Sequence, residues 1–89
     1  MSSNNEIAST MSTVSQVVSQ LTGDGFLVNR VIVGNAQRPT IFLFVNDRCR
    51  ALISSGRAHY RYIGNHCRIK QGAFEFGGCC VVWSENLIN

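Results

Sequence analysis

The first part of the chain carries apolar side chains at the spacing of an α-helix. Five of them recur at intervals of four and three residues along one stripe: Ile7, Met11, Val14, Val18 and Leu21. Residues 3–6 have the form of a capping box, and Gly23 is a stop signal. We predict a helix over residues 1–23. The apolar stripe is compatible with self-association, through a seam between two such helices, and with packing on a sheet. Ala8 and Val17 make the stripe wider, which favours packing on a sheet.

From residue 26 onward the pattern changes to that of β-strands. Segments 26–33 and 40–45 are rich in β-branched and aromatic residues, and the segment between them predicts an antiparallel hairpin. Shorter strand-like segments follow, with interruptions at Gly64-Asn65, Gln71-Gly72 and Gly77-Gly78, of which the last is a turn or a bulge. The predicted sheet therefore covers residues 26–83, and residues 84–89 are predicted to be a tail.

Residues 47–55 fit two structures. Asn46 and Asp47 are helix-capping residues, and the run from Ser54 to Gly56 is a helix stop, which favours a short second helix. A strand over residues 49–53 is the rival. Residues 1–89 then form a single α+β domain, in which the N-terminal amphipathic helix packs on an antiparallel sheet of four or five strands.

The small size of the chain favours association with other molecules. It has 89 residues and a mass of 9.8 kDa, and 45% of its residues are apolar. A domain of this size leaves much of its surface unburied, so we expect a homo-oligomer. The longest apolar run, residues 41–45, is far shorter than the roughly 20 residues of a membrane helix. No secretory signal is evident, so we expect a cytoplasmic protein without membrane contact.

The cysteines and histidines predict neither a metal site nor a cofactor site. Metal ligands in structural zinc sites come in pairs two to four residues apart, whereas His66-Cys67 and Cys79-Cys80 are directly adjacent. Neighbouring strand residues point to opposite faces. We therefore expect all four cysteines to be free thiols in a reducing compartment; they are Cys49, Cys67, Cys79 and Cys80.

The residues also give no pattern of a catalytic site. The five acidic residues are scattered, so no carboxylate pair suggests acid–base chemistry. Cys67 could act as a nucleophile with His59 or His66 as base and Asp47 as orienting group, but nothing in their spacing requires it, and a strand would place His66 and Cys67 on opposite faces. The glycine pairs lack the strand and helix context of a phosphate-binding loop. We expect a protein that is not an enzyme.

Positive charge is concentrated in the middle of the chain. Residues 38–70 carry seven Arg or Lys against one Asp, a net charge of +6, and the remainder carries −3, which together give the total of +3. Arginine and tyrosine are enriched at protein-binding hot spots, and they also suit nucleic-acid binding. The residues we expect to contact a partner are Arg57, Tyr60, Arg61, Tyr62 and Arg68.

The whole chain resembles a family of small regulators. A Ser/Thr-rich opening helix, MSSNNEIASTMSTVSQVVSQL, precedes a basic β-rich body, SGRAHYRYIGNHCRIKQGAFEF. In its length and in its pattern of residue types, the chain resembles the small antirepressors of temperate phages and prophages of enteric bacteria. The resemblance implies an oligomer that binds a phage repressor directly and releases it from operator DNA. The alternatives are a small basic nucleic-acid-binding module and an inhibitor of another host or defence protein.

Overall fold

The chain forms an α+β domain, as the sequence predicts. The computed structural model describes residues 3–34, 38–62 and 69–86. Within these ranges the elements follow in the order α1 (Ser3–Gly23), β1 (Leu27–Ile32), β2 (Thr40–Phe44), α2 (Asp47–Ser54), β3 (His59–Tyr62), β4 (Ile69–Phe76) and β5 (Cys79–Asn86). The N-terminal helix and the short second helix both pack on a sheet of five strands.

The sheet is mixed, so the prediction that all its strands are antiparallel is wrong. Its strand order is β1-β2-β5-β4-β3, and β2 pairs with β5 in parallel, with Ile41 opposite Val81. The β1–β2, β3–β4 and β4–β5 pairs are antiparallel. A parallel pair requires a long connection, and α2 with the β3–β4 hairpin supplies it. Local sequence patterns do not predict the β2–β5 pairing, because α2, β3 and β4 lie between these two strands in the chain.

One face of the sheet carries the core. Side chains from both helices and from the sheet form one buried cluster, which includes Val14, Val17, Leu21, Cys49, Ile41, Val81 and Trp83. Val17 is 3% exposed, in keeping with a widened stripe that faces a sheet. Within the predicted stripe, Val14 and Leu21 are buried, Val18 is partly buried against the cluster, and Met11 is exposed. The side chain of Ile7 lies outside the described part of the chain.

Both helices end in the same capping motif. At the end of α1, Phe26 N–H donates to Leu21 O and Gly25 N–H donates to Thr22 O, with Gly25 at a φ of 96°. At the end of α2, Arg57 N–H donates to Leu52 O, and Gly56 has a φ of 78°. These are Schellman motifs, which need a residue in the left-handed region.

The second helix begins where the sequence predicts it. The side chain of Asn46 accepts hydrogen bonds from the backbone N–H groups of Arg48 and Cys49, at 3.1 and 3.3 Å. It thereby satisfies two of the donors that have no partner at the start of a helix. Residues 47–54 are helical, so the strand alternative for this segment is wrong.

Two predicted boundaries in the second half of the sheet are also wrong. Gly72 does not interrupt a strand, because it pairs with Tyr60 on one side and with Trp83 on the other within a continuous β4. Strand β5 extends to Asn86, so residues 84–86 belong to the sheet and not to a tail. Gly77 and Gly78 form a turn in which both φ angles are positive, the geometry of a tight β-hairpin.

Candidate protein-binding face

The second face of the sheet is covered by neither helix in the described part of the chain. Val82 is 1% exposed but does not belong to the core cluster, whereas its neighbours Val81 and Trp83 do. Since successive side chains of a strand alternate between faces, Val82 lies on the opposite side. The strand register places further side chains beside it. We call this side the open face, and it includes Arg30, Phe42, His59, Arg61, Glu75, Cys80 and Val82.

A basic groove lies on the open face where β3, β4 and β5 meet. Its volume is about 410 Å³, and it is lined by Arg38, Arg57, His59, Tyr60, Arg61, Ala73, Phe74, Glu75 and Cys80. Strand alternation brings His59 and Arg61 of β3 to the same side, and Arg57, which precedes β3, lines the same groove. Arg38 comes from the segment before β2 and reaches the groove because β2 lies beside β5. We call this feature the basic groove.

Two of the arginines in the basic groove already have partners. Arg38 Nη1 lies 2.9 Å from Glu75 Oε1, in a pair whose side chains are 56% and 67% exposed. Arg61 Nε donates to Gln71 Oε1 at 2.6 Å. Arg57 forms no ion pair with any residue that the structure describes. The groove therefore has positive charge in excess over its single carboxylate, and it is suited to bind an acidic group.

The β1–β2 part of the open face is more apolar. The guanidinium carbon of Arg30 lies 4.5 Å from the centre of the Phe42 ring, within the range of a cation–π contact. Leu27, Ile32 and Phe44 are 56%, 50% and 54% exposed. Exposed apolar side chains grouped on one face indicate a surface that binds another macromolecule.

A polar cluster on the core side of the sheet joins three strands. Glu85 Oε2 accepts hydrogen bonds from the Tyr60 hydroxyl at 2.7 Å and from Trp83 Nε1 at 2.8 Å. Lys70 Nζ lies 4.0 Å from the centre of the Tyr60 ring. No local sequence pattern indicates this cluster, because Glu85 lies in the predicted tail and Tyr60 and Lys70 lie on other strands.

The polar cluster changes the pKa values of two of its members. Burial and the hydrogen bond to Glu85 raise the pKa of Tyr60 to about 12. Burial would raise the pKa of Glu85, but the hydrogen bonds from Trp83 and Tyr60, with the charges of Lys70 and Arg50, outweigh it and lower that pKa. The carboxylate is thus held ionised among its donors, an arrangement that fixes the end of the sheet.

The structure brings together only part of the predicted contact set. Arg57 and Arg61 line the same groove. Tyr60 borders that groove, but its hydroxyl is bonded on the core side. The side chain of Tyr62 and the whole of Arg68 lie outside the described residues.

Six residues that line the groove lie outside the predicted contact set, and Arg38, His59 and Cys80 are among them. The alternation of β3 would have placed His59 beside Arg61. Arg38 and Cys80 required the β2–β5 pairing, which has no local sequence signal.

The sheet separates Cys80 from the two buried thiols, Cys49 and Cys79. Cys49, Cys79 and Cys80 are free thiols; the first two are buried in the core and Cys80 borders the basic groove. Burial raises the pKa of both core thiols. In residues 3–34, 38–62 and 69–86 no three His, Cys, Asp or Glu side chains are grouped so that they could hold a metal ion. His66 and Cys67 lie outside these ranges.

Comparisons of the chain with protein-family models, with curated proteins and with solved structures gave no match. A separate property of the helices bears on membrane contact. Neither described helix is long and apolar enough to cross a membrane.

Proposed function

We propose that this protein is a non-enzymatic regulator that binds another protein through the open face of its sheet. The observation that carries this proposal is the placement of an arginine-rich groove beside exposed apolar side chains on a face that the described helices leave uncovered. Arginine and aromatic residues are the types enriched where binding energy is concentrated in protein interfaces. The partner is expected to present carboxylates to the groove and apolar side chains to the neighbouring strands.

The specific partner we propose is a phage-type transcriptional repressor, and the site of action is the bacterial cytoplasm. A protein that binds the DNA-free form of a repressor more tightly than the DNA-bound form shifts the population away from the operator. The basic groove favours contact with acidic repressor surface. Imitation of DNA is disfavoured, because a DNA mimic is acidic and this chain has a net charge of +3.

A nucleic-acid-binding module is the second candidate. Four arginines of the open face, Arg30, Arg38, Arg57 and Arg61, could contact phosphates, and the exposed ring of Phe44 could stack on a base. Against this, the Tyr60 hydroxyl is bonded to Glu85 and Lys70 lies over its ring. One of the predicted stacking residues is therefore occupied within the protein, which supports the protein-binding proposal.

The test measures release of repressor from DNA. Repressors of temperate phages are bound to fluorescent operator DNA, and the protein is titrated in while anisotropy is recorded. We expect anisotropy to fall to the value of free DNA with the matching repressor. The double variant Arg57→Ala, Arg61→Ala is expected to need an at least about tenfold higher concentration for the same release of repressor. Each substitution removes an arginine, a residue type that often carries much of the binding energy in an interface.

The matched control is the variant Arg48→Ala with Arg50→Ala, which removes the same charge from α2 on the other side of the sheet. It is expected to release repressor as the wild type does. Equal activity of the groove variant and the wild type would contradict the proposed contact face. If the protein binds operator DNA by itself, with an affinity that falls steeply as salt rises, the nucleic-acid function is correct instead.

A further inference from the structure

We propose that strand β1 pairs with β1 of a second copy of this chain, antiparallel and about a two-fold axis, so that two sheets join into one. The inference concerns the strand at the opposite end of the sheet from β3, and it does not depend on the function proposed for the basic groove. β1 is the terminal strand in the order β1-β2-β5-β4-β3, and among the described residues it pairs only with β2. Its outer edge can therefore accept another strand.

The sequence of β1 is symmetric in character about its centre. It reads Leu-Val-Asn-Arg-Val-Ile, with two apolar, two polar and two apolar residues. A two-fold axis through the centre places Leu27 opposite Ile32 of the second copy and Val28 opposite its Val31. Asn29 then lies opposite Arg30, so that apolar residues meet apolar ones and polar residues meet polar ones, as isologous pairing requires.

The β-bulge in β1 makes this register compatible with the two faces of the sheet. In a regular strand, residues 27 and 32 would point to opposite faces, whereas residues paired across strands share a face. The register of β1 shifts between Val28 and Arg30. As a result, Leu27 and Ile32 pair with Phe44 and Thr40, which are four residues apart on β2 and lie on the same face.

The same register shift places Val28 and Val31 on one face of the sheet. Val28 and Val31 pair with Leu43 and Ile41 on the core face, and both pack against the core cluster. Every apolar pair across the two-fold axis therefore has its two side chains on one face of the joined sheet. Bulges usually help to block edge pairing; here the bulge is what allows a self-complementary register.

Exposure and charge favour a second copy as the occupant of this edge. Leu27 and Ile32 are about half exposed, and Phe44, the neighbour of Leu27 on β2, is exposed to the same degree. Pairing covers Leu27 and Ile32 on the edge strand, whereas Phe44 on β2 stays available to the partner bound at the basic groove. Arg30, which is over the Phe42 ring, faces an asparagine and not a second arginine, so that no like charges are opposed.

The other edge of the sheet lacks this self-complementarity. β3 pairs with β4 in a regular register without a bulge. A two-fold pairing of β3 with itself must then keep residues of equal face together. The register centred on Arg61 places Arg61 opposite Arg61 of the second copy, which opposes like charges. The register centred on Tyr60 places His59 opposite Arg61, so that no apolar pair forms on the open face. The β3 edge is left for the partner bound at the basic groove.

The test is the self-association of the full chain measured by sedimentation equilibrium over a concentration series. We expect a mass of twice 9.8 kDa at about 100 µM. Asn29 is exposed, so substitutions there can change the interface without changing the core. Asn29→Arg places an arginine opposite Arg30 of the other copy in each of the two symmetric pairs, and it is expected to weaken the dimer about tenfold. Asn29→Asp creates two ion pairs and is expected to strengthen it in a salt-dependent way.

The control is Gln16→Arg, which adds the same charge at an exposed position of α1 and is expected to leave the dissociation constant unchanged. Circular dichroism verifies that each variant is folded. A protein that sediments as a monomer throughout the series would overturn the proposal. A dimer whose dissociation constant is the same for wild type, Asn29→Arg and Asn29→Asp would overturn it equally, because association would then use another surface.

Discussion

The indole of Trp83 packs directly against the backbone of Gly72, its cross-strand neighbour in β4. A Cβ atom at position 72 would overlap ring atoms of the indole. The ring has little freedom to move aside, because Trp83 is 1% exposed and its Nε1 donates to Glu85 at 2.8 Å. The absence of a side chain at Gly72 is therefore what allows Trp83 to lie across the sheet.

Gly72→Ala is expected to lower the free energy of unfolding by about 1–3 kcal/mol, the usual cost of an extra methyl group in a packed core. Urea unfolding followed by the fluorescence of Trp83, the single tryptophan of the chain, measures this change. Gly23→Ala is the control, because a Cβ there meets no described atom, and its effect is expected to stay within about 0.5 kcal/mol. Equal urea midpoints for Gly72→Ala and the wild type would contradict the packing described.

Gly72 also shows why sequence patterns gave some boundaries and not others. Glycine within a strand reads locally as an interruption, and only the position of Trp83 on the neighbouring strand explains its presence. The two helices were predictable, since the stripe of α1 and the capping residue Asn46 are local signals. What the sequence could not predict is the order of the strands, because β2 and β5 are far apart along the chain.

The same distinction applies to the candidate site. Arg57 and Arg61 could be predicted to act together from charge and spacing, and they line one groove. Tyr60 was grouped with them, although alternation along β3 points its hydroxyl to the core side. Arg38 was omitted because it joins the groove through a pairing between distant segments. Local periodicity thus groups residues that are close in sequence, such as Arg57 and Arg61, and does not group residues on strands that are far apart along the chain.

The buried stripe of α1 gives a prediction about stability. Leu21 is 2% exposed, whereas Met11 on the same helix is 52% exposed. Leu21→Ala is expected to cost about 2–5 kcal/mol, because it removes core contacts and leaves a cavity. Met11→Ala is expected to change stability by less than about 0.5 kcal/mol. Thermal unfolding by circular dichroism compares the two; similar losses would mean that α1 does not pack on the sheet through this face.

The thiols are expected to differ in reactivity. The thiolate is the nucleophile, and burial both shields Cys49 and Cys79 and raises the pKa of each. Cys80 is half-buried at the edge of the basic groove. In a Cys67→Ser variant, a disulfide reagent that reports on free thiols should modify one cysteine rapidly and the other two only in denaturant. Peptide mapping should identify the fast site as Cys80, and rapid modification of all three would contradict the described burial.

The carboxylate of Glu85 is expected to make stability depend on acid pH. Its pKa in the folded protein lies below the ordinary value of 4.5, so the folded state binds the proton less tightly than the unfolded chain. The stabilisation is therefore complete above the ordinary pKa and is lost as pH falls through the folded pKa. Glu85→Gln keeps an oxygen that accepts hydrogen bonds but removes the charge that faces Lys70.

Urea unfolding from about pH 6 to about pH 3 tests this dependence. The wild type should be more stable than Glu85→Gln at the higher pH, and the difference should shrink as the pH falls. Glu75→Gln removes an exposed carboxylate outside the polar cluster and keeps Glu85, so its advantage over Glu85→Gln should shrink in the same interval. If the difference in stability between wild type and Glu85→Gln stays constant down to about pH 3, the contact between Tyr60 of β3 and Glu85 of β5 does not depend on the charge of the carboxylate.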